Sequence, residues 1–199
     1  RRSYQDVRDS ESLMALTLIS TPLNITAADD AVTTISVTSG IDDTYDEYEF
    51  HFVGIHPGTL STFITFQANA SGEADFNETM TTTTFRAYHA EADNSDQLVY
   101  VASYDQAQGT AYQYISSGIG SDNDQSGSGV FTLYAPSSTT YVKHFTSRFV
   151  SHDARSAVAK AVDHYTAGYI NTTAAIDEIS FKMSNGNIGA GTIKMFGVS

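Results

Sequence analysis

The hexapeptide Glu47-Tyr48-Glu49-Phe50-His51-Phe52 decides the fold. Its side chains alternate polar and aromatic with a period of two. That is the repeat of a strand whose successive side chains leave opposite faces of a sheet. Tyr48, Phe50 and Phe52 share one face, and Glu47, Glu49 and His51 share the other. A helix, turning every 3.6 residues, would scatter both sets around its circumference. The alternation predicts a half-buried strand with Phe50 and Phe52 in the core.

Working outward, the same grammar recurs along the chain. Strand candidates fall at 13–19, 32–38, 61–68, 82–90, 97–103, 111–115, 129–135, 140–150, 164–170, 176–183 and 191–198. Thr, Tyr, Phe and Val fill them, and these residues suit a pleated, half-buried surface. Turn chemistry separates them: His56-Pro57-Gly58, Asp93-Asn94-Ser95-Asp96, Gly120 to Asp124, Pro136-Ser137-Ser138 and Ser184-Asn185-Gly186-Asn187. Asn185-Gly186 has the residues of a hairpin corner, since both tolerate positive φ. The alanine-rich stretch from Asp153 to Asp163 admits a short helix capped by Asp153, with a loop or an edge strand as the alternatives. Many short strands divided by turns predict an all-β chain, an antiparallel β-sandwich of jelly-roll type with at most one short helix. Residues 1–11 read as a polar tail and 12–199 as a single domain.

Composition narrows the function. The 199 residues carry a formal charge of −13, which repels phosphate backbones and argues against nucleic-acid partners. There are no cysteines, so disulfides and thiolate metal sites are excluded. No apolar run approaches the ~18 residues of a membrane span, and the N-terminus lacks the apolar core of a signal peptide.

The search for chemistry assigns no catalytic, cofactor-binding or metal-ligating set. Six histidines are present, but His51, His89 and His144 sit inside strand candidates. The GxSxG-like string around Gly127-Ser128-Gly129 lies in an acidic turn, not a strand-to-helix elbow. The carboxylates of Asp42-Asp43-Thr44-Tyr45-Asp46-Glu47 form the densest acidic pair candidate, against the plainer alternative of a solvated loop. Asp122-Asn123-Asp124-Gln125-Ser126-Gly127 imitates the start of a calcium loop, yet Leu133 stands where the bidentate glutamate belongs. Asp122 and Asp124 are therefore expected to be turn residues, with stability independent of calcium. Four sequons, at Asn24, Asn69, Asn77 and Asn171, are a common by-product of a Ser/Thr-rich chain.

Several strings carry a resemblance. SGIDDTYDEYEFHFVGIHP (39–57), TMTTTTFRAYH (79–89), GIGSDNDQSGSGVFTLYAPSSTTYVKHF (118–145) and AGYINTTAAIDEISFKMSNGNIGAGTIKMFGV (167–198) resemble small virion-associated proteins of marine and freshwater tailed phages. The likeness runs from about Met14 to Ser199; DARSAVAKAVD departs from it. It implies a structural role on the virion, as tail fibre, appendage or capsid decoration, and brings no catalytic residues with it.

Two classes of function are then in play. A structural virion protein would be a homo-oligomer, with a trimer as first expectation, contacting other virion proteins. Val130 to Tyr134 and Ile193 to Phe196 carry large side chains on both faces and are expected to be covered from both sides. The alternative is a carbohydrate-binding or receptor-binding module for a host-surface glycan, using some of the twelve tyrosines. Exposed, coplanar tyrosines beside Asp or Asn would favour that alternative.

Overall fold

The computed structural model describes residues 15–25, 32–153 and 158–199. The strands are β1 (Leu16–Ile25), β2 (Thr34–Val37), β3 (Glu47–Pro57), β4 (Ile64–Ala70), β5 (Met80–Ala90), β6 (Asp96–Tyr100), β7 (Ala107–Gly109), β8 (Gln113–Tyr114), β9 (Gly127–Tyr134), β10 (Lys143–Asp153), β11 (Lys160–Ile170), β12 (Ile176–Met183) and β13 (Ile188–Val198). A 3-10 turn at Ala102–Tyr104 is the one helical element among the described residues. None is long and apolar enough to cross a membrane as a helix.

Two antiparallel sheets pack into a sandwich of unequal halves. The large sheet has nine strands in the order β1-β13-β3-β9-β10-β11-β5-β6, with β7 also paired to β5. The small sheet has four, β2-β12-β4-β8. The expected all-β sandwich is thus present, with the sheets differing in width by more than twofold. The two strands expected to be covered from both sides, β9 and β13, lie inside the large sheet, but their outer faces stay partly open: Val130, Tyr134 and Phe196 are half-buried and Lys194 is exposed.

The alternation at 47–52 has the expected register. Tyr48, Phe50 and Phe52 are fully buried, while Glu49 and His51 are only half-covered on the outer face. Phe131 of β9 sits among four other phenylalanine rings: Phe66 at 4.5 Å, Phe145 at 5.7 Å, Phe181 at 5.9 Å and Phe50 at 6.1 Å between centroids. Offset and edge-on packing of this kind adds to the burial energy of each ring. Gly127 and Gly129 make room for the Phe149 ring, which packs edge-on against Phe52, because a Cβ at either would fall 2.5 Å from it.

The small sheet covers only part of the large one. At and beyond its β8 edge, the inner faces of β10, β11 and β5 meet the chain between β6 and β9. That segment bonds to the small sheet through Ile115 N–H to Ile64 O (3.0 Å) and Ile119 N–H to Thr62 O (2.8 Å). The large-sheet residues beneath it are polar and buried: Thr82, Thr84, Ser147, His164 and Thr166.

One open alternative is decided and one local expectation changes. The stretch 153–163 supplies strand at both ends: Asp153 closes β10, Lys160 to Asp163 open β11, and Asp153 pairs with Lys160. Sheet hydrogen bonds override the alanine-rich propensity there. Residues 154–157, like the tail 1–11, lie outside the described residues. Asn185-Gly186 is no hairpin corner. β12 belongs to the small sheet and β13 to the large one, so 184–187 carries the chain between layers. Thr62 holds that crossing in place, accepting from the Asn185 N–H (3.1 Å) and bonding Ser184 Oγ (3.0 Å).

Candidate functional site

The structure disperses most of the residues with chemical potential. In the acidic run, Asp42 accepts hydrogen bonds from the Thr44 N–H (2.8 Å) and the Tyr48 hydroxyl (3.0 Å). The Thr44 bonds, chiefly, hold its carboxyl below the ordinary carboxylate range, the opposite of what a general acid requires. Burial pushes the Tyr48 phenol up, which keeps it a donor. This pair anchors the entry to β3. The histidines are spread across the sheet: His51 meets Glu49 (2.6 Å), His89 meets Asp93 (3.1 Å), His152 meets Glu91 (3.3 Å), and His144 lies by Tyr169.

The turn that imitates a calcium loop closes on itself. Gln125 N–H donates to Asp122 O (2.8 Å), and Gln125 Nε2 donates to Asp122 Oδ2 (3.2 Å). Among the described residues, no three His, Asp or Glu side chains converge as metal ligands. Of the sequons, Asn69 is buried and donates to Glu178 Oε2 (2.9 Å) and Glu73 O (3.0 Å).

Two features remain. The first is the outer face of the large sheet over β10, β11, β5 and β6. Register aligns Arg148, Tyr165, Phe85 and Tyr100 in one row, and Val150, Asp163, Ala87 and Leu98 in the next. Phe85 and Tyr165 stack at 4.7 Å with 6° between planes, and Arg148 lies 5.2 Å from the Tyr165 ring. Arg148 pairs with both Asp163 oxygens, at 3.1 and 2.9 Å. Leu98 and Tyr100 are 72% and 60% exposed. The rings stack on each other rather than lying side by side, so they offer no coplanar tyrosine platform.

The second is a cleft of about 750 Å³ at one end of the sandwich. Three segments wall it: the end of β3 with the following turn (Gly54, His56, Gly58, Thr59), the 123–126 turn, and the 186–190 crossing. β-Bulges converge here, between Phe52 and Ile55 on β3 and at Ala190 on β13. Bulges re-aim side chains at the rim of a sheet. His56 Nδ1 lies 2.7 Å from Gln125 O; a carbonyl only accepts, so Nδ1 carries the proton and the neutral ring keeps its lone pair on Nε2. Gly58 N–H donates to Asn187 O at 2.9 Å. These two bonds tie all three walls together.

The sequence flagged both sides of this cleft, Asp122 to Ser126 and Ser184 to Asn187, as unrelated turns. His56 entered only as part of a turn. The outer-face row went unseen, although the alternation of Thr83, Phe85, Ala87 and His89 puts Phe85 outward. Searches against protein-family models, curated proteins and solved structures return no match to this chain.

Proposed function

We propose that this chain is a non-enzymatic surface component of a tailed-phage particle, working through self-assembly rather than chemistry. One observation carries the assembly reading: the outer face of β10, β11, β5 and β6 leaves Phe85, Leu98 and Tyr100 in water together, continued across β11 by the Tyr165 ring stacked on Phe85, with Val150 exposed on β10 beyond Asp163. Four strands at about 4.8 Å spacing make it roughly 15 Å across. A large exposed apolar patch marks an interaction surface.

A second copy of the chain is the favoured occupant, for an electrostatic reason. The protein carries −13 charges, so most faces of two copies repel. Within this patch Arg148 and Asp163 neutralise each other, and the Asp105 carboxylate at its edge is engaged by the Tyr100 hydroxyl. Like copies meet there at the lowest electrostatic cost, with the acidic residues Glu91, Asp93 and Asp96 nearby at the ends of β5 and β6. The particle itself comes from the resemblance of residues 39–57, 79–89, 118–145 and 167–198 to tailed-phage virion proteins.

Light scattering at two ionic strengths tests the reading. A homo-oligomer is expected at seawater-like salt, loosening in low salt as repulsion is unscreened. Leu98→Glu is expected to give a monomer with unchanged circular dichroism. A wild-type monomer at both salts, with no binding to particles, would remove the assembly reading.

A further inference from the structure

We propose that the cleft between the end of β3, the 123–126 turn and the 186–190 crossing binds a neutral sugar residue. This goes beyond assembly and uses none of the patch residues. The volume, about 750 Å³, lies within the range of small-molecule sites, roughly 300–1,000 Å³. The walls are fastened by His56 to Gln125 and by Gly58 to Asn187, so the shape exists before any ligand arrives. A preformed site spends less of its binding energy on ordering.

The lining selects the ligand class by exclusion. Among the described residues no lysine or arginine lines it, while Asp124 does, so phosphates, sulfates and carboxylates are repelled. Among the described residues no large aliphatic side chain and no Phe or Tyr lines it, so an extended apolar ligand finds no seat. A divalent cation would find a single carboxylate, Asp124, as no three His, Asp or Glu side chains converge among the described residues.

What remains is a mixture of acceptors and two-way groups. His56 Nε2 and the Asp124 carboxylate accept; Asn123, Asn187, Ser126 and Thr59 can both donate and accept. Vicinal hydroxyls, each a donor and an acceptor, match that mixture better than any purely donating or accepting ligand. The methylene faces of Gly54, Gly58 and Gly186 and the Ala190 methyl give the ring carbons small surfaces to lie against. Without an aromatic platform, recognition rests on hydrogen bonds, and the affinity for a single residue is expected to be weak.

The test is an amide-resolved NMR titration of the full chain with glucose, galactose, mannose and N-acetylglucosamine, plus sulfated galactose and calcium chloride as separate arms. At least one neutral sugar should produce saturable shifts confined to residues 54–59, 123–126 and 186–190. Asp124→Ala and Asn123→Ala, both at exposed turn positions, should weaken that binding by roughly tenfold or more while leaving the rest of the spectrum in place. Absence of saturable shifts with every neutral sugar overturns the proposal. So does tighter binding of the sulfated sugar, or one-to-one saturation of the same amides by calcium alone. Assembly is read separately by light scattering, so either idea can fail without the other.

Discussion

The interior of the large sheet is built in two ways, and the boundary follows what covers it. Over β3, β9 and β13 the cover is another sheet, and the filling is aromatic: Phe50, Phe52, Phe66, Phe131 and Phe181. Over β11 and β5 the cover is the two-residue strand β8 with the irregular chain on either side of it, and the filling is polar at Thr82, Thr84, His164 and Thr166, while β10, at the boundary, alternates Phe145 and Phe149 with Ser147 and Ser151. A sheet satisfies its own backbone, whereas a loop does not, and every buried carbonyl needs a donor. The polar side chains supply those donors. Ser147 Oγ donates to Ile115 O (3.3 Å), Thr166 Oγ1 to Tyr114 O (3.1 Å), and Gln113 Nε2 to both Tyr104 O (2.9 Å) and Tyr114 O (3.0 Å). Thr82 closes the set by donating to Gln113 Oε1 (2.9 Å). Burial alone therefore does not define the core of this protein; the hydrogen-bonding needs of the covering layer decide its chemistry.

The sharpest way to break the comparison is to remove one residue from each half and measure urea unfolding. Phe131→Ala, at the centre of four rings, is expected to cost about 3–5 kcal/mol. A loss below about 1 kcal/mol would mean that the aromatic half collapses around the gap and is not the rigid half.

Gln113→Leu should cost less, about 1–3 kcal/mol, because it removes the amide donor to Tyr104 O, one of two donors to Tyr114 O, and the acceptor of the Thr82 hydroxyl. If the polar half were held by burial alone, leucine would stabilise it. A rise in the unfolding midpoint would therefore refute the role of the Gln113 amide as a donor within the covering chain.

The smallest effect tests the margin between the halves. Lys143 is buried on the inner face of β10, where Nζ donates to Tyr141 O (3.1 Å) and Thr172 O (3.2 Å). Burial holds its ammonium below the ordinary lysine value of 10.5, with Glu78 opposing the shift. The unfolded chain thus keeps this proton more tightly than the folded one. Stability should rise with pH through the window below 10.5 and be complete above it, by at most about 1.4 kcal/mol per pH unit for one proton. Tyrosines titrate close by, and the raised Tyr48 contributes in the opposite direction. The measurement is therefore the difference between wild type and Lys143→Met as a function of pH. A flat difference would show that the two carbonyls fully offset the cost of burial.

How much of this was legible follows the same boundary. The aromatic half announces itself, because Tyr48-x-Phe50-x-Phe52 is a local pattern and needs no knowledge of partners. The polar half does not. Thr82, Thr84, Ser147 and Thr166 carry the same letters as a solvent face, and only the loop packed over them makes them core. The crossing at 184–187 shows the limit for turns: Asn185-Gly186 does mark a reversal, with Gly186 at φ +70°, but nothing local says which sheet the next strand joins. Likewise, the alanines after Asp153 favour helix until the ladder between β10 and β11 claims its flanks.

The sequence by itself determined that the chain is all-β, that Phe50 and Phe52 face inward, that β9 and β13 are interior strands, and that the surface is strongly acidic. These are properties of side-chain period and composition, which act over a few residues or over the whole chain. The tertiary structure alone decided that Asp124, His56 and Asn187 share a cleft, and that Phe85, Tyr165 and Arg148 share a row. Those neighbours are up to 131 positions apart in the chain, and strand register and interlayer crossings, set by the packing of the whole sandwich, are what bring them together.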